Sequence, residues 1–309
     1  MPDKKIISLL PAATEIVCAL GLENQLIGRS HECDYPESIK NLPICSAAKF
    51  IPGSNSASID KQVKEILSDA LSIYTIDESL IKELKPDIII TQAQCEVCAV
   101  SLKDVESALI DLMDNNNTEV ISLEPHFLKD VFRDISVIAR RLDVEECAEA
   151  LLESFDERIG IVSHKLKFKA SKPKVASIEW LSPIMVAGNW IPEMINIAGG
   201  TPILTENGKH SPFINFQQIV TENPEIIIII PCGFSIQRTL QEINLLVEQK
   251  GWQDIDAVKN NQIYIADGNQ YFNRPGPRII DSIEILAEII NPKLFSYGYE
   301  GSGWIRFNV

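Results

Sequence analysis

This chain predicts an α/β fold of two lobes, each with a mainly parallel central sheet, bridged by one long α-helix. Three observations carry that expectation. Unbroken isoleucine runs, Ile88 to Ile90 and Ile226 to Ile230, follow Pro-acid turns and alternate with helical periodicity, as parallel strands buried on both faces do. The arrangement occurs twice, once in each half of the chain. Between the halves, Val144, Ala148, Leu151, Phe155, Ile159, Val162 and Leu166 recur at steps of three and four, which marks one face of a continuous helix.

In chain order, Ile6 to Leu10 reads as a short strand. The helix after it starts at Pro11, whose fixed φ suits a first turn, and stops at Gly21. The same grammar returns at Lys174 to Trp180, a strand, followed by a helix that starts at Pro192 and stops at Gly199-Gly200. A second echo pairs Leu80 to Thr91 with Phe216 to Ile230: helix, Pro86-Asp87 or Pro224-Glu225, then an isoleucine strand. A helix from about Glu145 to Phe168 rises about 1.5 Å per residue, roughly 36 Å in all. The implied division is 1–124 for the first lobe, 125–171 for the linking helices and 172–309 for the second lobe. A final amphipathic helix is expected from about Arg278 to Ile290.

Composition narrows the function. With 309 residues, 45% hydrophobic and 23% charged, the chain can build a real core, and wholly disordered or low-complexity readings are excluded. A net charge of −15 repels phosphate backbones, so no nucleic-acid partner is expected. Seven cysteines are an odd count for a disulfide framework and suit a reducing compartment. The apolar start resembles a secretion signal, but Pro11 and Glu15 interrupt it and no small-residue cleavage site follows. No window reaches the length of a transmembrane helix. A cytoplasmic protein is the expectation.

In open parallel sheets ligands gather beyond the carboxyl ends of the strands, so the residues there are the candidates for a shared inter-lobe cleft. After Ile88 to Thr91 comes Gln92 to Cys98, and after Ile226 to Ile230 comes Pro231-Cys232-Gly233-Phe234. Ser30 to Pro36, behind a strand at Leu26 to Arg29, offers an imidazole, carboxylates, a thiol and a phenol. His31, Cys33, Cys95, Cys98 and Cys232 have the donor types of a soft or borderline metal ion. The one Cys-x-x-Cys also suits a redox dithiol, and more readily ligand contact or plain packing. Cys18, Cys45 and Cys147 read as small apolar core groups. His126 and His164 read as surface groups, and His210 lies in a loop near the expected cleft. Glu179, Trp180, Asn189 and Trp190 place a carboxylate, an amide and two aromatic faces at the second mouth, where both indoles serve a core equally well. Tyr271 to Arg278 forms a Pro- and Gly-shaped loop in which Arg274 and Arg278 can fork onto carboxylates or amides. No Walker loop, nucleophile elbow, zinc-protease helix or dinucleotide fingerprint is present.

Ser8 to Glu15, Cys33 to Pro36, Leu84 to Ile90, Ala198 to Gly200 and Tyr271 to Arg278 together resemble the cobalamin-binding branch of the periplasmic binding proteins of ABC importers. The likeness covers nearly the whole chain. It implies the helical-backbone substrate-binding-protein fold, with Pro11, Tyr35, Phe50 and Tyr271 lining a corrinoid cleft. It also implies docking of an ABC permease through one glutamate per lobe. Those two places fall here at Ser79, beside Glu78, and at Gln217, and an insertion spans Pro52 to Tyr74. The aromatic expected before the second docking helix is Ser211, with Phe213 and Phe216 nearby.

The combined expectation is a non-enzymatic protein that binds cobalamin or a related tetrapyrrole or metal chelate. Tyr35, Phe50, Trp180, Trp190 and Tyr271 would meet its faces, Arg274 and Asn189 its polar edges, and His31 or a thiolate an axial metal position. The alternative is a metal- or thiol-dependent enzyme built on Cys95, Cys98 and Cys232 with Glu179 or Glu32 as acid or base. A third reading is an importer component whose secretion signal precedes Met1.

Overall fold

The structure, a computed structural model, describes residues 4–68, 73–92, 118–169 and 171–308. The chain divides into two compact units. One comprises Met1–Ser54, Ser58–Pro125 and Lys129–Glu153, and the other Asn55–Ala57, His126–Leu128 and Ser154–Val309.

In the first unit, β1 (Ile6–Ser8) leads into α1 (Pro11–Ala19), then β2 (Leu26–Arg29), β3 (Ser46–Ala48), α2 (Ser56–Ser68), β4 (Tyr74–Ile76), α3 (Glu78–Leu84), β5 (Ile88–Gln92) and β6 (Glu119–Leu123). The main sheet runs β2-β1-β5-β6 with every pair parallel. Its central strands, Ile6 to Ser8 and Ile88 to Gln92, are buried at every position, which explains isoleucine runs with no polar alternation. β3 and β4 pair antiparallel as a separate ribbon. The stretch expected as an insertion thus contains α2 and opens β4.

Two helices follow: α4 (Leu128–Arg141) and, after a left-handed Asp143 (φ 58°), α5 (Glu145–Leu166). The 22 residues of α5 span about 33 Å. Its residues up to Glu153 group with the first unit and those from Ser154 with the second. Ala148, Phe155 and Val162 form its buried stripe. Cys147 is exposed, against the expectation that it packs in the core, because position 147 turns about 100° away from Ala148.

The second unit continues with β7 (Lys174–Leu181), β8 (Ile184–Val186), α6 (Ile191–Ile197), β9 (Thr201–Pro202), α7 (Phe216–Glu222), β10 (Ile226–Ile229), the short helices α8 (Ile236–Leu240), α9 (Asn244–Val247) and α10 (Asp256–Lys259), β11 (Ile263–Ala266), α11 (Ile279–Ile290) and β12 (Trp304–Arg306). The sheet order is β12-β11-β10-β7-β8, with β9 also on β7. β7, β9, β10 and β11 are parallel, and β8 and β12 add antiparallel edges. The last helix has the expected polar stripe, at Asp281, Glu284 and Glu288, but that stripe is not solvated: every residue of α11 except Asp281 is buried. Its carboxylates are taken up internally. Glu284 receives Arg158 and the Tyr299 hydroxyl, and Glu288 receives backbone N–H groups from the segment that follows.

The internal echo has a physical basis. α3 is capped by Asp77, whose carboxylate accepts the Leu80 N–H at 3.0 Å, and ends at Lys85 in the left-handed region (φ 52°) before Pro86. α7 is capped by an Asn215–Gln218 capping box and ends at Asn223 (φ 49°) before Pro224. The acid after each proline does the same job. Asp87 Oδ2 accepts the N–H of Lys5, just before β1, at 2.8 Å, and Glu225 Oε2 accepts that of Lys174, at the start of β7, at 2.9 Å.

Candidate functional site

On the first unit the carboxyl ends of β1 and β2 carry Pro11 and the loop Ser30 to Pro36. Arg29, 8% exposed, folds that loop around its guanidinium. Its Nη1 donates to the carbonyls of Ser30 (3.1 Å) and Cys33 (2.9 Å), and its Nη2 to that of Lys40 (2.9 Å). His31 is half-buried, with Nδ1 3.0 Å from Ser46 Oγ and its ring 5.5 Å from Tyr74. Burial, reinforced by the Arg29 charge, holds the imidazole below its usual pKa. Nε2 is buried and has no hydrogen-bond partner among the described residues. Tyr74 donates its hydroxyl to Glu32 at 3.4 Å and meets Phe50 edge-on at 6.3 Å. Tyr35, before a cis bond to Pro36, is 48% exposed, and Pro11 is half-buried at the start of α1.

Cys33 departs from its expected role. It is 1% exposed, accepts the Thr14 hydroxyl at 3.1 Å and lies 4.0 Å from the Ser8 carbonyl, so its thiol faces the α1–β1 core and not the loop's outer side. Cys95 and Cys98 lie outside the described residues. Cys232 is exposed and belongs to the other unit. Among the described residues no group of three or more His, Cys, Asp or Glu side chains could hold a metal ion. The expected metal set is therefore corrected at Cys33.

On the second unit the carboxyl ends of β7, β10 and β11 come together. Trp180 packs on Phe234 with ring centroids 5.2 Å apart, and the Arg238 guanidinium lies 4.4 Å from the Phe234 ring while ion-pairing with Glu242. Cys232 donates its N–H to the Glu179 carbonyl at 3.1 Å. The β10 and β11 loops touch at Gly268. A Cβ there would sit 2.1 Å from the Pro231 carbonyl oxygen, so only glycine fits. Asn273 Nδ2 ties the same loops together, donating to the Ile230 and Gly268 carbonyls at 3.1 Å each. Asp267, 4% exposed, caps the turn by accepting the N–H groups of Asn269 (3.0 Å) and Gln270 (2.8 Å). Tyr271 is half-buried, with Arg278 5.6 Å from its ring and Tyr299 edge-on at 6.1 Å.

Two expected ligand residues serve the interior instead. Trp190 is 6% exposed and spends its indole N–H on the Phe272 carbonyl at 2.7 Å, so its ring is part of the unit's packing. Arg274 is 7% exposed and donates to Asn269 Oδ1 at 3.1 Å, which makes it a brace of the loop. Asn189, in the left-handed region (φ 51°), turns the chain ahead of α6 and receives the Gly208 N–H on its carbonyl at 2.9 Å. Glu179 is half-buried beside Trp180. His126, His164 and His210 are exposed, the last with Nδ1 3.0 Å from the Ser211 carbonyl. Two aromatic residues outside the sequence-based expectation, Tyr74 and Tyr299, and Phe234 from the segment expected there adjoin these surfaces, with Tyr74 and Phe234 buried beneath them and Tyr299 half-buried. Tyr74 opens the Tyr-Thr-Ile strand, Phe234 follows an isoleucine run, and for Tyr299 no local signal exists. Glu78 and Ser79 occupy the first turn of α3, with Glu78 3.7 Å from Lys82, and Gln217 occupies the first turn of α7.

Each surface offers aromatic faces, a few hydrogen-bonding edges and no activated nucleophile–base pair among the described residues. Aromatic faces with a few polar edges are what a ligand-binding surface presents. Residues 6–269 match the family described as periplasmic binding protein. A vitamin B12-binding protein of Vibrio vulnificus is 25% identical over 292 residues, 93% of this chain and 90% of that protein. An uncharacterized ABC transporter substrate-binding lipoprotein of Bacillus subtilis is 24% identical over 300 residues, 94% of this chain and 81% of that one. Among solved structures, the periplasmic vitamin B12-binding protein of Vibrio cholerae superposes with a TM-score of 0.65 at 21% identity, covering 94% of this chain and 98% of that chain. A periplasmic heme-binding protein of Pseudomonas aeruginosa gives 0.69 at 18% identity, covering 94% of each chain. These structural likenesses establish the fold expected from the sequence.

Proposed function

Because the chain belongs to the periplasmic binding protein family, we propose that this substrate-binding protein is non-enzymatic and takes a flat, metal-bearing ligand of the corrinoid, haem or iron-chelate class, cobalamin first among them. The observation that carries this reading is the concentration of accessible aromatic side chains near the carboxyl end of each parallel sheet: half-buried His31 and Phe50 with exposed Tyr35 on one unit, backed by buried Tyr74, and half-buried Trp180, Tyr271 and Tyr299 on the other, Trp180 backed by buried Phe234. Broad aromatic faces suit a macrocycle, whose rings are apolar above and below and polar at the rim. His31, its pKa lowered and its Nε2 without a hydrogen-bond partner among the described residues, is the group in this set with the chemistry of a metal ligand.

The partner that follows is an ABC permease, with the first turns of α3 and α7 as the surfaces offered to it. A cytoplasmic location is the reading of the odd count of seven cysteines, which suits a reducing compartment. Separation of cell fractions decides between that and export.

The decisive experiment titrates the purified protein with cyanocobalamin, hemin and a ferric hydroxamate, following tryptophan emission and the ligand's visible band. Saturable quenching with a Kd at or below about 1 μM for one of them is expected. No saturable change with any of the three refutes the proposal.

A further inference from the structure

We propose that Tyr299 is a positioning residue of the ligand site, acting through the ring of Tyr271. The inference deepens the reading above and rests on it. It also extends the site past residue 269, where the family match ends.

The backbone around Tyr271 is already fixed. The next residue, Phe272, is fully buried; its N–H donates to Ser282 Oγ at 3.0 Å and its carbonyl accepts the Trp190 indole at 2.7 Å. What remains to be set is the side-chain torsion of a half-buried ring. Arg278 lies 5.6 Å from that ring, and Tyr299 meets it edge-on at 6.1 Å and 79°. Arg278 is a flexible stem with a stacking head, whereas Tyr299 is anchored at both ends.

Its hydroxyl donates to Glu284 Oε2 at 3.0 Å, and Glu284 is in turn held by Arg158 of α5 through bonds of 2.8 and 2.6 Å. Burial beside Asp281 and Glu284 pushes the phenol well above its ordinary pKa, so it stays a donor. Its N–H, with those of Tyr297 and Gly298, closes on the buried Glu288 carboxylate, which also takes the Trp304 indole N–H at 2.8 Å. A ring so anchored can hold its neighbour in one rotamer, and an edge-to-face pair is worth about 0.5–1.5 kcal/mol beyond burial, or roughly two- to twelvefold in a constant.

The test uses the full chain with cyanocobalamin and hemin, in wild type and in Tyr271→Leu, Tyr299→Leu and Tyr299→Phe. Kd and the circular dichroism induced in the ligand's visible band are read for each, with the melting temperature alongside. Tyr271→Leu and Tyr299→Leu are both expected to raise Kd, the latter three- to tenfold, and to change the induced band. Tyr299→Phe keeps the ring, and is expected to restore Kd and band shape while melting below wild type for want of the Glu284 bond. A Tyr299→Leu protein that binds and orients ligand as wild type does overturns the inference and leaves the proposed function standing, as does a Tyr271→Leu protein with unchanged Kd. A wild type that binds neither probe overturns both.

Discussion

Gly268→Ala tests the geometry of the second unit's ligand loops at its tightest point. The added methyl would stand 2.1 Å from the Pro231 carbonyl oxygen and 2.9 Å from the carbonyl carbon and oxygen of Ile230, all of them backbone atoms with no rotamer to yield. Relief requires the β10 and β11 loops to part by about 1 Å, which strains overpacked neighbours by about 1–3 kcal/mol. The same movement pulls apart the two bonds by which Asn273 joins the loops, each worth about 1 kcal/mol net. A loss of roughly 3–5 kcal/mol follows, which for a unit of this size lowers the melting temperature by about 6–20 °C. All four tryptophans, Trp180, Trp190, Trp252 and Trp304, belong to this unit, so emission during a thermal ramp reports on it directly. Gly160→Ala, in the same unit, is the matched control: among the described residues no atom outside its own helix lies within 4 Å of a Cβ there, and a change within about 1 kcal/mol is expected. If Gly268→Ala melts within 2 °C of wild type, the two loops do not touch as described.

Three further outcomes follow from groups described by the structure. Asp134 of α4 is buried, its Oδ2 has no hydrogen-bond partner among the described residues, and burial lifts its carboxyl from 3.8 to about 6. The folded state therefore holds this proton more tightly than the unfolded chain. The associated stability is full below pH 3.8 and lost as pH rises through about 6, by about 3 kcal/mol at most. Asp134→Asn should accordingly melt above wild type at pH 7, with the gap closing by pH 4; a gap independent of pH contradicts the assignment. Glu288→Ala removes the acceptor of three backbone N–H groups and an indole, costing roughly 3–5 kcal/mol. Hydrogen exchange across residues 295–308 should accelerate in it, and unaltered protection there would refute the clamp. A brief maleimide pulse at pH 7.5 should label Cys147 and Cys232 ahead of Cys18, Cys33 and Cys45. Cys33 and Cys45 are buried, and burial pushes the Cys18 and Cys45 thiols up to about 12 and 11. Peptide mapping in which Cys33 reacts as fast as Cys147 would contradict its placement.

The elements whose signals are local were legible in the sequence. Pro11 starting α1, the Pro-acid turns at Pro86 and Pro224, and the isoleucine strands all depend on a few neighbouring residues. The α5 stripe was equally readable, yet Cys147 one step from Ala148 was misplaced, since a single turn of 100° separates core from solvent. Helix α11 defeated its pattern for a tertiary reason: Glu284 and Glu288 look like a solvated face until Arg158 and the loop Tyr297 to Tyr299 arrive from elsewhere in the chain to occupy them. The site divides the same way. The loop Ser30 to Pro36 and the segment Tyr271 to Arg278 announce themselves by composition. Whether Trp190 faces ligand or core is decided by the Phe272 carbonyl, 82 residues away.

The two Pro-acid turns answer a difficulty peculiar to sheets of this kind. A strand buried on both faces and built from one residue type carries no alternation to say which isoleucine belongs opposite which neighbour, and without a hairpin no turn sets the alignment either. Asp87 and Glu225 supply the missing index mark: each grips a single amide at the entrance of the adjoining strand, so that sliding by one position would forfeit a charge-assisted bond. Two stretches of interchangeable side chains are thereby made to line up in only one way.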